Sequence, residues 1–365
     1  MHEGTATTTA AAFSRPTSQD LHHRAGSIHL SPSEQRQLAP LLSHPSVHPT
    51  VVSFPAFSAR VLSKFHVRKS GEGSFSECLL LKHKENAWDV AVLKIIPFDL
   101  SESSPTLDND NGNNDSNNKQ DKEESTITNS TVSAVLREIR VLSALSAHHG
   151  FAAVRSCHVV QGAWHQGFLQ AYHAFRNDHP DLALNPLPSE RWDDRMIYGV
   201  IEMDNAGSDL EQLARPSAFQ VYDAFWMTAV LLAVVERALE FEHRDLHMSN
   251  ILYRERIPGQ GLDISHDVVS RIGVAGVAQP DVLLGLSNIK ITIIDYTINK
   301  WQAHLPMTTT LWLAHILHEL LRQAGSRPRH VAGSSAQAKK LQTRMWKQLR
   351  EVLATIDRDD PTQTG

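Results

Sequence analysis

His243-Arg244-Asp245-Leu246-His247-Met248-Ser249-Asn250 is the stretch that decides the fold. Residues 222–241, just before it, are almost continuously apolar and read as a long buried helix. The stretch sets an aspartate and an asparagine on one short loop. An aspartate there can orient a hydroxyl and accept its proton, while the asparagine reaches a hard cation such as magnesium. His243 and Arg244 brace such a loop. A chance match at every specified position of His-Arg-Asp-Leu-x-x-x-Asn is improbable.

Outward toward the C-terminus, residues 291–294 read as a short strand, and Ile293-Ile294-Asp295-Tyr296-Thr297 ends it in a carboxylate. An aspartate at a strand end is otherwise a turn former. Following the loop above, it suits a magnesium ion. Toward the N-terminus, Val90-Ala91-Val92-Leu93-Lys94 is an apolar strand ending in a lysine. Residues 133–145 carry Val135, Ile139, Leu142 and Leu145 at helical spacing, and Glu138 on that helix is the natural anionic partner of Lys94. Taken singly, the lysine reads as a solvated strand end and the glutamate as a solvated helix position. Before them lies Gly71-Glu72-Gly73-Ser74-Phe75-Ser76, preceded by Ser70. Glycines let backbone N–H groups come close to phosphates. Alone this motif is an ordinary hairpin turn, and a dinucleotide reading would need a helix next, where strand residues follow. Cys78-Leu79-Leu80-Leu81 and Val90-Ala91-Val92-Leu93, separated by the polar residues 83–89, predict a hairpin.

The glycine loop, Lys94, Glu138, the loop of Asp245 and Asn250, and Asp295 occur in the order of a protein kinase. That order predicts an α+β, bilobal protein-kinase-like fold. Its β-rich N-lobe would span 60–203 and its mainly helical C-lobe 204–356, with a strand at 200–203 and helices at 311–322 and 336–356. Residues 1–50, rich in Ser, Thr, His and Pro, predict a disordered tail, and 357–365 a second short tail. Residues 101–130 contain DNDNGNNDSNNKQDKEES and predict a flexible low-complexity insert.

Composition narrows the partners. The chain has 365 residues, a formal net charge of -5 and 21% charged residues. No overall basic field points to sequence-specific nucleic-acid binding. Cys78 and Cys157 cannot build a disulfide framework, so a reducing compartment is expected. The His148-His149 pair has no second Cys or His pair at ligand spacing, so it does not indicate a metal site. No secretory signal opens the sequence. The apolar run 224–235 is shorter than the roughly 20 residues that span a bilayer, so no membrane association is expected. A soluble, intracellular monomer is the expectation.

Within the kinases, the sequence resembles the haspin family. Asp295-Tyr296-Thr297 stands where most kinases have Asp-Phe-Gly and matches the haspin form. Cys157-His158-Val159-Val160-Gln161-Gly162, Gly207-Ser208-Asp209-Leu210-Glu211-Gln212 and Leu311-Trp312-Leu313-Ala314-His315 resemble further haspin segments. The likeness runs from about residue 60 to 356. It implies a serine/threonine protein kinase using ATP and Mg2+. Ser70, Gly71, Glu72, Gly73, Ser74, Phe75 and Ser76 would cover the nucleotide. Met203 would be the gatekeeper, Asp204, Asn205 and Ala206 the hinge, and Asp209 the ribose contact. Lys94 would clamp phosphates and pair with Glu138. Asp245 would be the catalytic base, with Asn250 and Asp295 on magnesium. The substrate implied is a protein, a threonine of a core histone tail on the nucleosome during mitosis, and the location is nuclear and chromosome-associated.

Three departures stand against that pattern, the first being the insert at 101–130, which lengthens the path from Lys94 to Glu138 at little loop-closure cost. Ser76 replaces the third glycine of the loop. Only Gln302-Ala303-His304-Leu305 lies between Trp301 and Pro306, where haspins carry several tens of residues of activation segment. Chemistry at ATP could survive that shortening, whereas substrate positioning would suffer. A kinase-like nucleotide-binding or interaction module without turnover is therefore the alternative. A small-molecule phosphotransferase is a third reading, against which the Asp-Tyr-Thr and Asp-Leu-Glu-Gln segments weigh.

Overall fold

The computed structural model describes residues 28–72, 76–100, 129–180, 186–191, 193–243, 245–255, 285–295 and 306–358. The predicted hairpin is its organising unit. β3 (Glu77–His83) and β4 (Val90–Pro97) pair antiparallel, with Leu79 opposite Leu93 and Cys78 opposite Lys94. Strand alternation buries Leu79, Leu81, Leu93 and Ile95 on one face. β2 (Phe65–Glu72) flanks β3 at one edge, while β6 (Ile197–Asp204), β5 (Val154–Gln161) and the short β1 (Val52–Ser53) extend the sheet beyond β4. The order is β1-β5-β6-β4-β3-β2.

Each face of this sheet carries its own core. On one face Phe54, Phe57 and Val61 of α2 (Phe54–Lys64) and Phe168 and Tyr172 of α4 (Gln166–Asp178) pack with Val160, Tyr198 and Val200. On the other, Val135, Ile139 and Leu142 of α3 (Val132–Leu145) pack with Val159 and Ile201. Thr131 caps α3, its hydroxyl accepting from the Ala134 N–H. The same core continues into α6 (Ala218–Leu239), α7 (Pro306–Ala324) and α8 (Ala336–Arg358). A short α5 (Pro188–Arg191) precedes β6. A second sheet, β7 (Ser208–Asp209), β8 (Ile251–Glu255) and β9 (Ile289–Ile293), lies in the helical part. The result is a bilobal α+β fold, sheet-rich first and helical after.

α6 is the predicted apolar helix. Among the described residues it is the one helix long and apolar enough to cross a membrane, longer than the apolar run alone suggests, but 61% of its apolar window is buried inside the protein. Asp223, fully buried on α6, accepts the Gly285 N–H at 2.9 Å and the Ser287 N–H at 2.6 Å, which fixes the entry to β9.

The tail expected to be disordered over 1–50 needs correction for its described part. α1 (Pro32–Leu42) is a helix with a full capping box between Ser31 and Glu34, and its Leu38 and Leu41 are buried against the α3 side of the core. Pro at its first position presets the backbone. Residues 1–27 and 359–365 lie outside the described residues. So do 101–128 of the insert, but its end is ordered: the Ser130 N–H donates to Pro97 O and the Asp99 N–H to Ser130 O, both at 2.9 Å. The insert thus leaves and rejoins the sheet at one point. Its length does not separate β4 from α3.

Candidate functional site

Lys94 sits in the middle of β4, which runs on to Pro97 rather than ending at the lysine as the sequence suggests, and Glu138 lies on the sheet-facing side of α3. Their Nζ and Oε1 atoms are 2.6 Å apart, with side-chain exposures of 17% and 8%. Burial works against the charge on Lys94, but the Glu138 and Asp295 carboxylates more than offset it and hold the amine above the usual lysine range. Asp295, distant in sequence, therefore lies within electrostatic reach of Lys94. Glycine residue Gly71 pairs with Cys78 on β3, one rung from Lys94, after a register shift between Lys69 and Gly71. The Ser70 hydroxyl donates to the Cys78 carbonyl at 3.2 Å, and Ser76 is buried. Gly73, Ser74 and Phe75, and the side chain of Glu72, lie outside the described residues.

The loop that carries Asp245 and Asn250 is positioned by backbone. Met248–Asn250 form a single 3-10 turn leading directly into β8. β8 pairs with β9, Ile251 opposite Ile293, so Asn250 and Asp295 flank the same end of one ladder. The Ile294 N–H donates to the Asn250 carbonyl at 2.9 Å. His243 closes the arrangement, its Nε2 lying 2.8 Å from the Ile294 carbonyl. Burial pushes the His243 imidazole below the usual histidine range, so the neutral ring donates through Nε2–H. Asn250 Nδ2 donates to the Asp245 carbonyl and to His247 Nε2, both at 2.9 Å, which leaves Oδ1 as the amide's acceptor atom. The Asp245 carboxylate stays partly exposed, its Oδ2 3.9 Å from His247 Nε2. Asp295 lies two residues past the end of β9 in the left-handed region, φ 61°, a conformation that aspartate tolerates better than most residues. Arg244, Tyr296, Thr297 and the 296–305 segment lie outside the described residues.

Met203 pairs with Val92 near the end of β6. The chain then crosses between lobes through Asp204, Asn205 and Ala206, held by Asp204 N–H to Ala153 O at 2.9 Å and Asn205 N–H to Val90 O at 3.2 Å. The Asp204 carboxylate is taken by Arg155 at 2.6 Å, so this crossing offers backbone rather than that side chain. Gly207 follows with φ 102°, and a Cβ there would sit 2.0 Å from the Tyr253 carbonyl, so only glycine passes. Asp209 accepts from Gln212 Nε2 at 2.6 Å and from its N–H at 3.2 Å.

The sequence alone does not disclose the roles of His247, Arg155 and Gly207, nor a buried pair, Lys69 with Glu77, at the base of the glycine hairpin. His247 lay inside the quoted loop at an unspecified position. The pair was signalled only by a lysine and a glutamate flanking the glycines.

A family model described as the haspin like kinase domain matches residues 56–300, well over half of the chain. The serine/threonine-protein kinase haspin homolog of Schizosaccharomyces pombe is 24% identical over 356 residues, covering 82% of this chain and 63% of that protein. Serine/threonine-protein kinase haspin of Bos taurus is 26% identical over 242 residues, covering 56% and 30%. The Drosophila melanogaster haspin homolog is 28% identical over 164 residues, covering 43% and 25%. This chain therefore spans less than two thirds of the length of these relatives. The extent of the family match, laid over a sheet lobe, a helical lobe and the loop between them, shows that the chain belongs to the haspin-like kinase family.

Proposed function

We propose that this chain is a serine/threonine protein kinase of haspin type, transferring the γ-phosphate of ATP to a threonine or serine of a protein. The supporting observation is the convergence of Lys94, Glu138, Asn250 and Asp295 from four separate elements. The donor set suits a magnesium nucleotide: an amide oxygen and a carboxylate are hard ligands, and an ammonium beside them suits phosphate. Magnesium-bound ATP would supply the transferable phosphoryl group and the cation that neutralises its charge. Asn250 and Asp295 would hold the metal, and Lys94, kept charged by Glu138, the phosphates. The glycine hairpin from Ser70 to Ser76 would cover them. Met203 and the Asp204–Ala206 backbone would line the adenine end, with Asp209 turning from Gln212 to the ribose. Asp245 would orient the acceptor hydroxyl and take its proton. By the same likeness we assign a histone-tail substrate, a mitotic role on chromosomes in the nucleus, and a monomeric state.

The test is transfer from Mg-ATP to a threonine-containing histone-tail peptide. Asp245→Ala should lower turnover about a thousandfold while nucleotide binding, read by thermal shift, persists. A chain that binds Mg-ATP but transfers nothing would instead be the non-catalytic module. The four residues between Trp301 and Pro306 favour that second reading.

A further inference from the structure

We propose that Lys69 is the anchor of the glycine hairpin, a positioning residue through which α4 sets nucleotide affinity. Lys69 lies on β2 just before the register shift that leads into Gly71. Its Nζ donates to Glu77 Oε2 on β3 at 2.7 Å and to the Gly71 carbonyl at 2.8 Å. The same ammonium stands 4.5 Å from the centroid of the Tyr172 ring and 5.4 Å from that of Phe175, both on α4. Both ion-pair side chains are 1% exposed. An exposed pair of this kind would hold nothing in place, because water competes for both partners. A buried one persists only if its other donors are satisfied. Here the ammonium reaches the facing strand, the carbonyl two residues further along its own strand, and the aromatic face of a helix.

That distribution has a mechanical meaning. The irregular register leaves β2 weakly specified at Gly71, which has no side chain to pack. Lys69 ties the Gly71 carbonyl to β3 and to α4 at that point. Without it the two strands would keep their ladder further back, but the Gly71 backbone would lose this hold. Lys94, Asp245 and Asp295 would be untouched. Nucleotide affinity should therefore suffer, and the chemical step should not. The inference rests on the nucleotide role proposed above for residues 70–76.

The experiment uses the full chain with Lys69→Met, Lys69→Arg and Tyr172→Leu. Initial rates are measured against Mg-ATP, and backbone hydrogen exchange is followed in parallel. Lys69→Met should raise KM for ATP about tenfold and leave kcat within about twofold, whereas arginine, still charged, should restore most of the affinity. Tyr172→Leu, which keeps the apolar packing and removes the ring face, should raise KM about threefold. Exchange at Gly71, Glu77 and Cys78 should quicken in Lys69→Met, with Leu93 and Ile201 unchanged. A KM unaffected by all three substitutions, or exchange rising evenly across the sheet, would overturn the anchor and leave a purely structural pair. If the wild-type chain neither binds nor turns over ATP, the kinase reading falls, and the exchange pattern alone decides whether Lys69 anchors the hairpin. Should the methionine variant fail to fold, the arginine and Tyr172→Leu chains carry the same test.

Discussion

On the sheet side of the candidate site, Lys94 and Glu138 are locked side chain to side chain at 2.6 Å, largely out of water. On the helical side, contacts to the main chain do the holding: Ile294 N–H to Asn250 O, and the His243 ring to the Ile294 carbonyl. Asp245 there remains partly exposed. The contrast separates two jobs. A preformed charge pair presents a fixed cation at no reorganisation cost, but it contributes to the fold and is costly to break. A carboxylate presented by backbone is available to a ligand and contributes little to stability.

Lys94→Met should break that comparison most strongly. It leaves Glu138 buried beside a methyl group, and the chain should lose about 3 kcal/mol of stability together with its nucleotide affinity. Urea denaturation would read the first and thermal shift with Mg-ATP the second. Asp245→Ala, expected to lose most turnover, should unfold within about 0.5 kcal/mol of wild type.

A pH series sharpens the sheet side further. Burial, then the charges of Arg60 and His48, push the His158 imidazole down to about 3 from its ordinary 6.5. The unfolded chain binds this proton more readily than the folded one. The stability that depends on neutral His158 is complete above about pH 6.5 and falls as pH drops from there toward 3. His158→Phe should flatten this part of the acid limb in urea midpoints measured between those values. The smallest effect on activity is expected at the lobe's edge: Ser31→Ala removes the α1 cap and should cost about 1 kcal/mol of stability, with kcat unchanged.

What the sequence disclosed divides along the same line. The hairpin of β3 and β4, the helix bearing Glu138, the strand ending at Asp295 and the partnership of Lys94 with Glu138 follow from periodicity and from charges that need counter-charges. α1 and α2 were not read, although Ser31 with Glu34 and Ser53 with Pro55 are local start signals. Their apolar faces are narrow, and their burial depends on α3 and on the outer face of the sheet, which lie far off in sequence. The Lys69–Glu77 pair was hidden for another reason. It requires a register shift, and alternation alone does not specify one.

Asp223 carries a last consequence. By gripping the backbone at Gly285 and Ser287, α6 delivers the chain to β9 from its own side, whatever the route from the end of β8. Alignment of Asn250 with Asp295 is thus uncoupled from the number of residues between Glu255 and Gly285, since closing a longer excursion costs only slightly more. Lengthening the chain between those two residues should therefore leave the far end of the β8–β9 ladder in register.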